Sequence, residues 1–171
     1  MNLDGNELNE YRGFDGRGWI CDKCARTIER AIDGWVQWRE FEAESKDRKT
    51  KGQVPLGRDL QLVHHSSDGI RFGCQFKEHD PAYLILDEGL PDFLGSDGLM
   101  KLLSFIADDH IESSEVLEMI KRLNIPGYER SRMYFEEAIS EGVFEPNTTP
   151  RYHLQSDIEA VNKWIAERDT E

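Results

Sequence analysis

The sequence predicts an α+β protein in which a small antiparallel β module precedes a helical domain. A run rich in aromatic and β-branched residues at 35–41 is typical of a strand, and residues 60–65, in which Leu60 and Leu62 alternate with Gln61, predict a second one. Apolar residues recur at helical spacing from residue 99 onward. Between these halves, residues 86–97 are rich in Gly, Pro and Asp, which interrupt regular structure. These observations predict two structured halves joined by an acidic linker.

We therefore divide the 171 residues into four segments. Residues 1–16 are polar and Gly-rich, which predicts a flexible start. Residues 17–85 form the predicted β module, residues 86–97 the linker, and residues 98–171 the helical domain. Residues 45–58, between the two predicted strands, form a polar and basic loop. We interpret it as a solvated loop, with a phosphate-contacting arm as the alternative.

The chain is strongly acidic, with 34 acidic and 21 basic residues and a net charge of -13. Its mean hydropathy is -0.65, and no apolar run approaches the ~20 residues that a membrane-spanning helix needs. The first residues lack the apolar stretch of a secretory signal, so we expect a cytoplasmic protein with no membrane partner. The negative charge favours a protein partner over DNA, because phosphates would be repelled.

The cysteines predict a metal site. Cys21 and Cys24 are separated by two residues, so that a tight turn can direct both thiolates at one ion. Zinc takes four ligands in a tetrahedron, and Cys74 is the predicted third. An odd number of cysteines argues against a disulfide framework, and no βαβ pattern supports a redox pair. The remaining alternative to a metal is free, buried thiols.

The fourth ligand is predicted to be His64. In a strand, side chains alternate between faces, so His64 shares the inward face with Leu62. His65 would point to the opposite face, and His79 follows Cys74. We prefer His64 and keep His65 and His79 as alternatives.

The CxxC pair followed by a histidine and a third cysteine resembles zinc-ribbon and treble-clef modules, over about residues 18–76. The resemblance implies a structural Zn2+ that contributes to folding. Four protein ligands leave no open position for a substrate, so we expect no catalysis there.

The segment Leu62-Val63-His64-His65 is also similar to the His-His element of HNH nucleases. That resemblance implies one histidine that binds a catalytic metal and one that activates water. The family further needs an asparagine and a final histidine, but residues 66–80 contain no asparagine and only His79. A metal-dependent nuclease is therefore a second alternative, and a non-enzyme is the main prediction.

The pattern of apolar and turn residues in the second half predicts three helices, a β-hairpin and a last helix. The first helix ends near residue 107, the second begins at Ser113 or Ser114, and the third covers residues 128–141. Residues 143–154 predict the hairpin. Ser156 and Glu159 form a capping box that opens the last helix, whose inward face we expect to include Trp164.

This order of elements resembles a winged helix-turn-helix domain, over about residues 97–168, with a plain helical bundle as the alternative. The resemblance implies that the third helix and the wing contact DNA through Arg130, Arg132 and Arg151. Lys121 and Arg122 on the second helix are further candidate contacts. The acidity of this half favours protein binding instead.

Together these patterns predict a non-catalytic, zinc-containing adaptor or regulator that binds a protein partner, possibly one that acts on nucleic acid. A sequence-specific DNA-binding regulator is the first alternative.

Overall fold

The computed structural model describes residues 5–41, 57–65, 73–77 and 80–170, and the fold is α+β. The helices in these residues are α1 (Gly5–Glu10), α2 (Gly95–Ala107), α3 (Ser113–Asn124), α4 (Tyr128–Ser131), α5 (Phe135–Ser140) and α6 (Gln155–Arg168). The strands are β1 (Trp19–Ile20), β2 (Thr27–Ile28), β3 (Gly34–Glu40), β4 (Gly57–His64) and β5 (Leu84–Gly89). Two 3-10 turns cover Ala31–Asp33 and Leu90–Phe93.

The main sheet has three antiparallel strands in the order β4-β3-β5, and β1 pairs with β2 in a separate two-stranded ribbon. Both long predicted strands are present. The alternation in β3 is imperfect because Gln37 is buried as well as Val36 and Trp38. Its amide compensates for burial by hydrogen bonds to the Gln61 side chain (3.2 Å) and from the Phe76 backbone N–H (3.0 Å).

The chain forms two compact units, Met1–Asn124 and Ile125–Glu171. In the first unit, helices α2 and α3 pack with the sheet over a core whose side chains are almost fully buried. Trp38 from β3 contacts Phe105 from α2 at a ring-centroid distance of 5.6 Å. The helices α2 and α3 begin close to their predicted first residues.

The predicted linker is part of the first unit. Residues 86–97 complete β5, form the turn Leu90–Phe93 and begin α2, and both ends of that turn are fully buried. Proline, glycine and aspartate shape this tight turn as they would shape a linker, so composition does not distinguish the two. Gly98 is needed here, since a Cβ would lie 2.0 Å from the Phe93 backbone carbon.

The described part of the N-terminal segment is also structured, which differs from the predicted flexible start. Helix α1 lies within residues 1–16, and Leu8 and Tyr11 pack against the core of the first unit. The carbonyl of Tyr11 accepts a hydrogen bond from the Ala31 N–H at 2.9 Å. One apolar side chain on the helix, Leu8, and one directly after it, Tyr11, attach this segment to the core.

In the second unit, the predicted third helix is two short helices, α4 and α5, and the predicted hairpin does not form. Residues 143–154 contain no strand. Pro146 and Pro150 lack the backbone N–H that a hairpin ladder needs. Instead, His153 lies against Phe135 in the core of this unit, at a ring distance of 4.0 Å. The winged-helix assignment is therefore not confirmed.

Helix α6 begins one residue before the predicted cap. The carboxylate of Asp157 accepts a hydrogen bond from the Leu154 N–H at 3.1 Å, which caps the first turn from inside the helix. None of the helices in the described part of the chain has the length and apolar character that would let it cross a membrane.

Candidate metal centre

Four side chains of the first unit converge on one point. The Sγ atoms of Cys21, Cys24 and Cys74 and a ring nitrogen of His64 all lie within 4.8 Å of one another. Cys21 and Cys24 lie in the turn between β1 and β2, His64 ends β4, and Cys74 lies in the segment 73–77. Cys21 and Cys74 are 1% exposed and His64 is 4% exposed. These are the residues that the sequence predicts as ligands.

Backbone hydrogen bonds shape the turn that carries the first two cysteines. The Cys21 N–H donates to the Arg26 carbonyl at 2.9 Å, and the Ala25 N–H donates to the Cys21 carbonyl at 2.9 Å. Ala25 has a φ of 57°, in the left-handed region, which costs an alanine about 1–2 kcal/mol. The chain thereby reverses directly after Cys24, and both thiols face the same side.

The orientation of His64 suits a ligand. Its Nδ1 lies 3.5 Å from the Cys24 Sγ and 3.7 Å from the Cys74 Sγ, while its Nε2 lies 3.2 Å from the Thr27 carbonyl oxygen. A carbonyl oxygen only accepts hydrogen bonds, so the neutral ring carries its proton on Nε2. The Nδ1 lone pair then faces the thiols, and a metal-binding histidine is oriented in this way by a carbonyl behind it.

Neighbouring thiols influence the ionisation of Cys24 and Cys74. Burial, together with the neighbouring Cys24 and Cys21, raises the pKa of Cys74 to about 12. Burial also opposes ionisation of Cys24, but hydrogen bonds from the Arg26 backbone and from the other two thiols outweigh it and lower the pKa of Cys24. A thiolate at Cys24 is therefore favoured over one at Cys74, and a bound cation would remove this difference, because a coordinating thiol is deprotonated.

A partly buried ion pair attaches the cysteine turn to the rest of the unit. The carboxylate of Asp22, between the two cysteines, accepts hydrogen bonds from the Arg122 guanidinium (2.7 Å) and the Leu62 N–H (2.7 Å). Arg122 also donates to the Ile20 carbonyl at 2.8 Å and is only 4% exposed. Arg122 was predicted as a DNA contact, but it faces inward. Its position three residues after the buried Met119 on α3 indicates this orientation.

The arrangement supports a closed metal centre better than a catalytic one. Four protein donors are present, three of them almost fully buried. A catalytic zinc keeps one position open for water or substrate, whereas structural sites use four protein ligands.

Of the two alternative histidine ligands, His65 lies within the described residues and His79 does not. The ring of His65 stacks on Trp35 at 4.8 Å, its backbone N–H donates to the Asp33 carbonyl at 2.7 Å, and it is not part of the converging group. His79 lies outside the described residues, as does the predicted basic loop except for Gly57 and Arg58, which begin β4.

The other predicted nucleic-acid contacts, Arg130, Arg132 and Arg151, belong to the second unit, and two of them form ion pairs. Arg130 bonds to Asp169 at 2.9 Å, and Arg132 lies 3.0 Å from Glu129. Arg151 is exposed in the segment that does not form a wing. Since this unit holds five basic and ten acidic residues, its arginines are surrounded by carboxylates.

Comparison with known proteins gives no relative: no protein-family model, curated protein or solved structure matches this chain. The functional argument therefore depends on the geometry of the chain itself.

Proposed function

We propose that this chain is a non-catalytic adaptor or regulator that binds a protein partner, and that a structural Zn2+ stabilises its sheet unit. The observation that carries the metal proposal is the convergence of three thiol sulfurs and one imidazole nitrogen within 4.8 Å. Thiolate ligands select zinc, copper(I) or iron–sulfur clusters, and a tetrahedral set of sulfur and nitrogen donors favours zinc.

The local structure around the cysteines supports a structural role for the metal. Strands β1 and β2 have two residues each, and such a short ribbon is not stable by its own hydrogen bonds. A metal that joins this ribbon to the end of β4 and to Cys74 would supply the missing stabilisation, since binding free energy at such sites is folding free energy.

Two features support a protein partner. Because the candidate metal ligands are largely buried, a partner would be bound by surface residues instead. The chain has a net charge of -13, so its surface is predominantly acidic. A charge of that size attracts partners with basic surfaces and accelerates their association. Proteins that act on nucleic acids have basic surfaces of this kind, so we include them among the partners.

Elemental analysis of the purified chain, combined with counting of reactive thiols, tests the metal part of the proposal. We expect about one zinc per chain, thiols that react only after a chelator is added, and loss of the cooperative unfolding transition after chelation. A metal-free protein with three freely reacting thiols and an unchanged fold would overturn it.

A further inference from the structure

The two outer edges of the three-stranded sheet differ in how their backbone groups are used. On β4, at one edge, outward-facing groups of three residues are bonded to neighbouring segments. The Leu60 N–H donates to Glu115 Oε2 at 2.8 Å. Leu62 donates its N–H to the Asp22 carboxylate at 2.7 Å, and its carbonyl accepts from the Asp22 N–H at 2.9 Å. Gly57 donates its N–H to the His110 carbonyl at 2.7 Å, and its own carbonyl accepts from the Glu112 N–H at 3.0 Å. This edge is therefore closed to a further strand.

Strand β5 forms the other edge and pairs only with β3. Among the residues that the structure describes, no backbone group of Leu84–Gly89 bonds to any segment other than β3. In an antiparallel edge strand, alternate residues direct their N–H and C=O groups outward. Such a row is a template for another strand, and proteins usually protect it.

The side chains of β5 indicate which strand would fit. Leu84 is 50% exposed, and Asp87 on the opposite face is also exposed. Asp87 lies near His65, and Glu88 is paired with Lys101. A strand beside β5 would thus meet an apolar side chain on one face and a carboxylate on the other. Opposite charges on neighbouring strands stabilise pairing.

A second copy of the chain fits this edge poorly. Two antiparallel copies of β5 paired about Leu86 would place the two Asp87 carboxylates diagonally on the same face, and pairing about Asp87 would place them directly opposite each other. Each copy also has a net charge of -13. Like charges at this separation oppose pairing.

We propose that the outer edge of β5 binds an extended segment of a partner protein that carries lysine or arginine side chains, which joins the sheet as a fourth strand. This inference names a surface and a partner chemistry for the proposed function, and it rests on that function.

The first test uses a synthetic six-residue peptide of alternating valine and lysine, added to the full chain as purified. A second peptide of the same sequence carries N-methyl groups on alternate backbone amides, so that it keeps its charge but cannot complete a ladder. We expect the first peptide to bind and to slow amide hydrogen exchange in residues 84–89. We expect the methylated peptide to bind at least ~10-fold more weakly, which corresponds to about 1.4 kcal/mol.

The second test uses charge reversal with a matched control. Asp87→Lys removes the exposed carboxylate of β5, while Glu136→Lys makes the same change of net charge at an exposed position in the second unit. We expect Asp87→Lys to weaken binding of the unmethylated peptide about 10-fold and Glu136→Lys to leave it unchanged.

Several results would overturn the inference. The inference would be overturned if both peptides bound equally well, if Asp87→Lys and Glu136→Lys lost the same amount of peptide affinity, or if neither peptide bound. A concentration-dependent dimer that excludes the peptide would assign the edge to a second copy. Zinc content is measured on the same samples: zinc present without peptide binding removes only the β5 assignment, and peptide binding without zinc removes only the metal proposal.

Discussion

The two compact units are stabilised in different ways. The unit Met1–Asn124 combines an apolar core with a partly buried ion pair and four converging side chains that could hold a metal ion. The unit Ile125–Glu171 contains no cysteine, and its core consists of a few apolar side chains from three helices, including Phe135 and Ile158. In the first unit, polar and thiol side chains thus join segments that are far apart in the chain, whereas the second unit packs helices that are closer together in the chain.

The largest expected effect is a loss of stability confined to the first unit. Cys21→Ser removes one of four ligands, so we expect loss of the metal and of the cooperative unfolding of the first unit, because the ribbon around Cys21 depends on it. Metal analysis and thermal unfolding followed by near-UV circular dichroism measure this. A variant with its metal and melting curve intact would show that both units depend on packing alone.

Neighbouring histidines offer a matched pair. His64→Asn removes the nitrogen that faces Cys24 and Cys74, so we expect metal loss similar to that of Cys21→Ser. His65→Asn removes only a ring that stacks on Trp35, so about one metal per chain should remain. Metal stoichiometry of the two variants distinguishes the histidines. Retention by His64→Asn together with loss by His65→Asn would reverse the ligand assignment.

The ion pair behind the cysteine turn should have a smaller effect. Arg122→Met leaves the Asp22 carboxylate without its cation, and we expect a loss of about 3 kcal/mol in the free energy of unfolding. Adding Asp22→Asn should recover part of that loss, since the unpaired charge is removed. Denaturant unfolding of the two single variants and the double variant measures the coupling, and strictly additive losses would contradict it.

The smallest expected effect, that of Trp164→Ala, is in the second unit. Phe135→Ala should cost about 3 kcal/mol, because this side chain is 7% exposed in the core of the unit. Trp164 was expected to face inward, but it is only half-buried and lies under the Arg168 guanidinium at 4.5 Å. Trp164→Ala should therefore cost less, about 1–2 kcal/mol. Denaturant unfolding ranks the two, and metal content should not change in either.

Local patterns were sufficient for much of the first unit. The alternation around Leu62 and His64 predicted both the strand and the inward histidine, and the two-residue spacing of Cys21 and Cys24 predicted the turn that brings their thiols together. These features depend on residues close in the chain, whose spacing determines which face they share.

Composition was a poorer guide where short segments fold back on the core. Residues 86–97 have the composition of a linker but complete β5 and begin α2, and residues 143–154 have the alternation of a hairpin but form no strand. In both segments the outcome depends on what the side chains can pack against, which is absent from the local pattern.

The sequence by itself determined the α+β class, the positions of the main strands and helices, and the residue types of a metal site, because periodicity and spacing are local properties. The tertiary structure alone decided the buried contact between Asp22 and Arg122, which are 100 residues apart, and the division of the chain after Asn124. It also decided which edge of the sheet is closed and which presents its backbone. The physical reason is that contacts between distant segments follow from the packing of a complete core, and no short stretch of sequence contains that information.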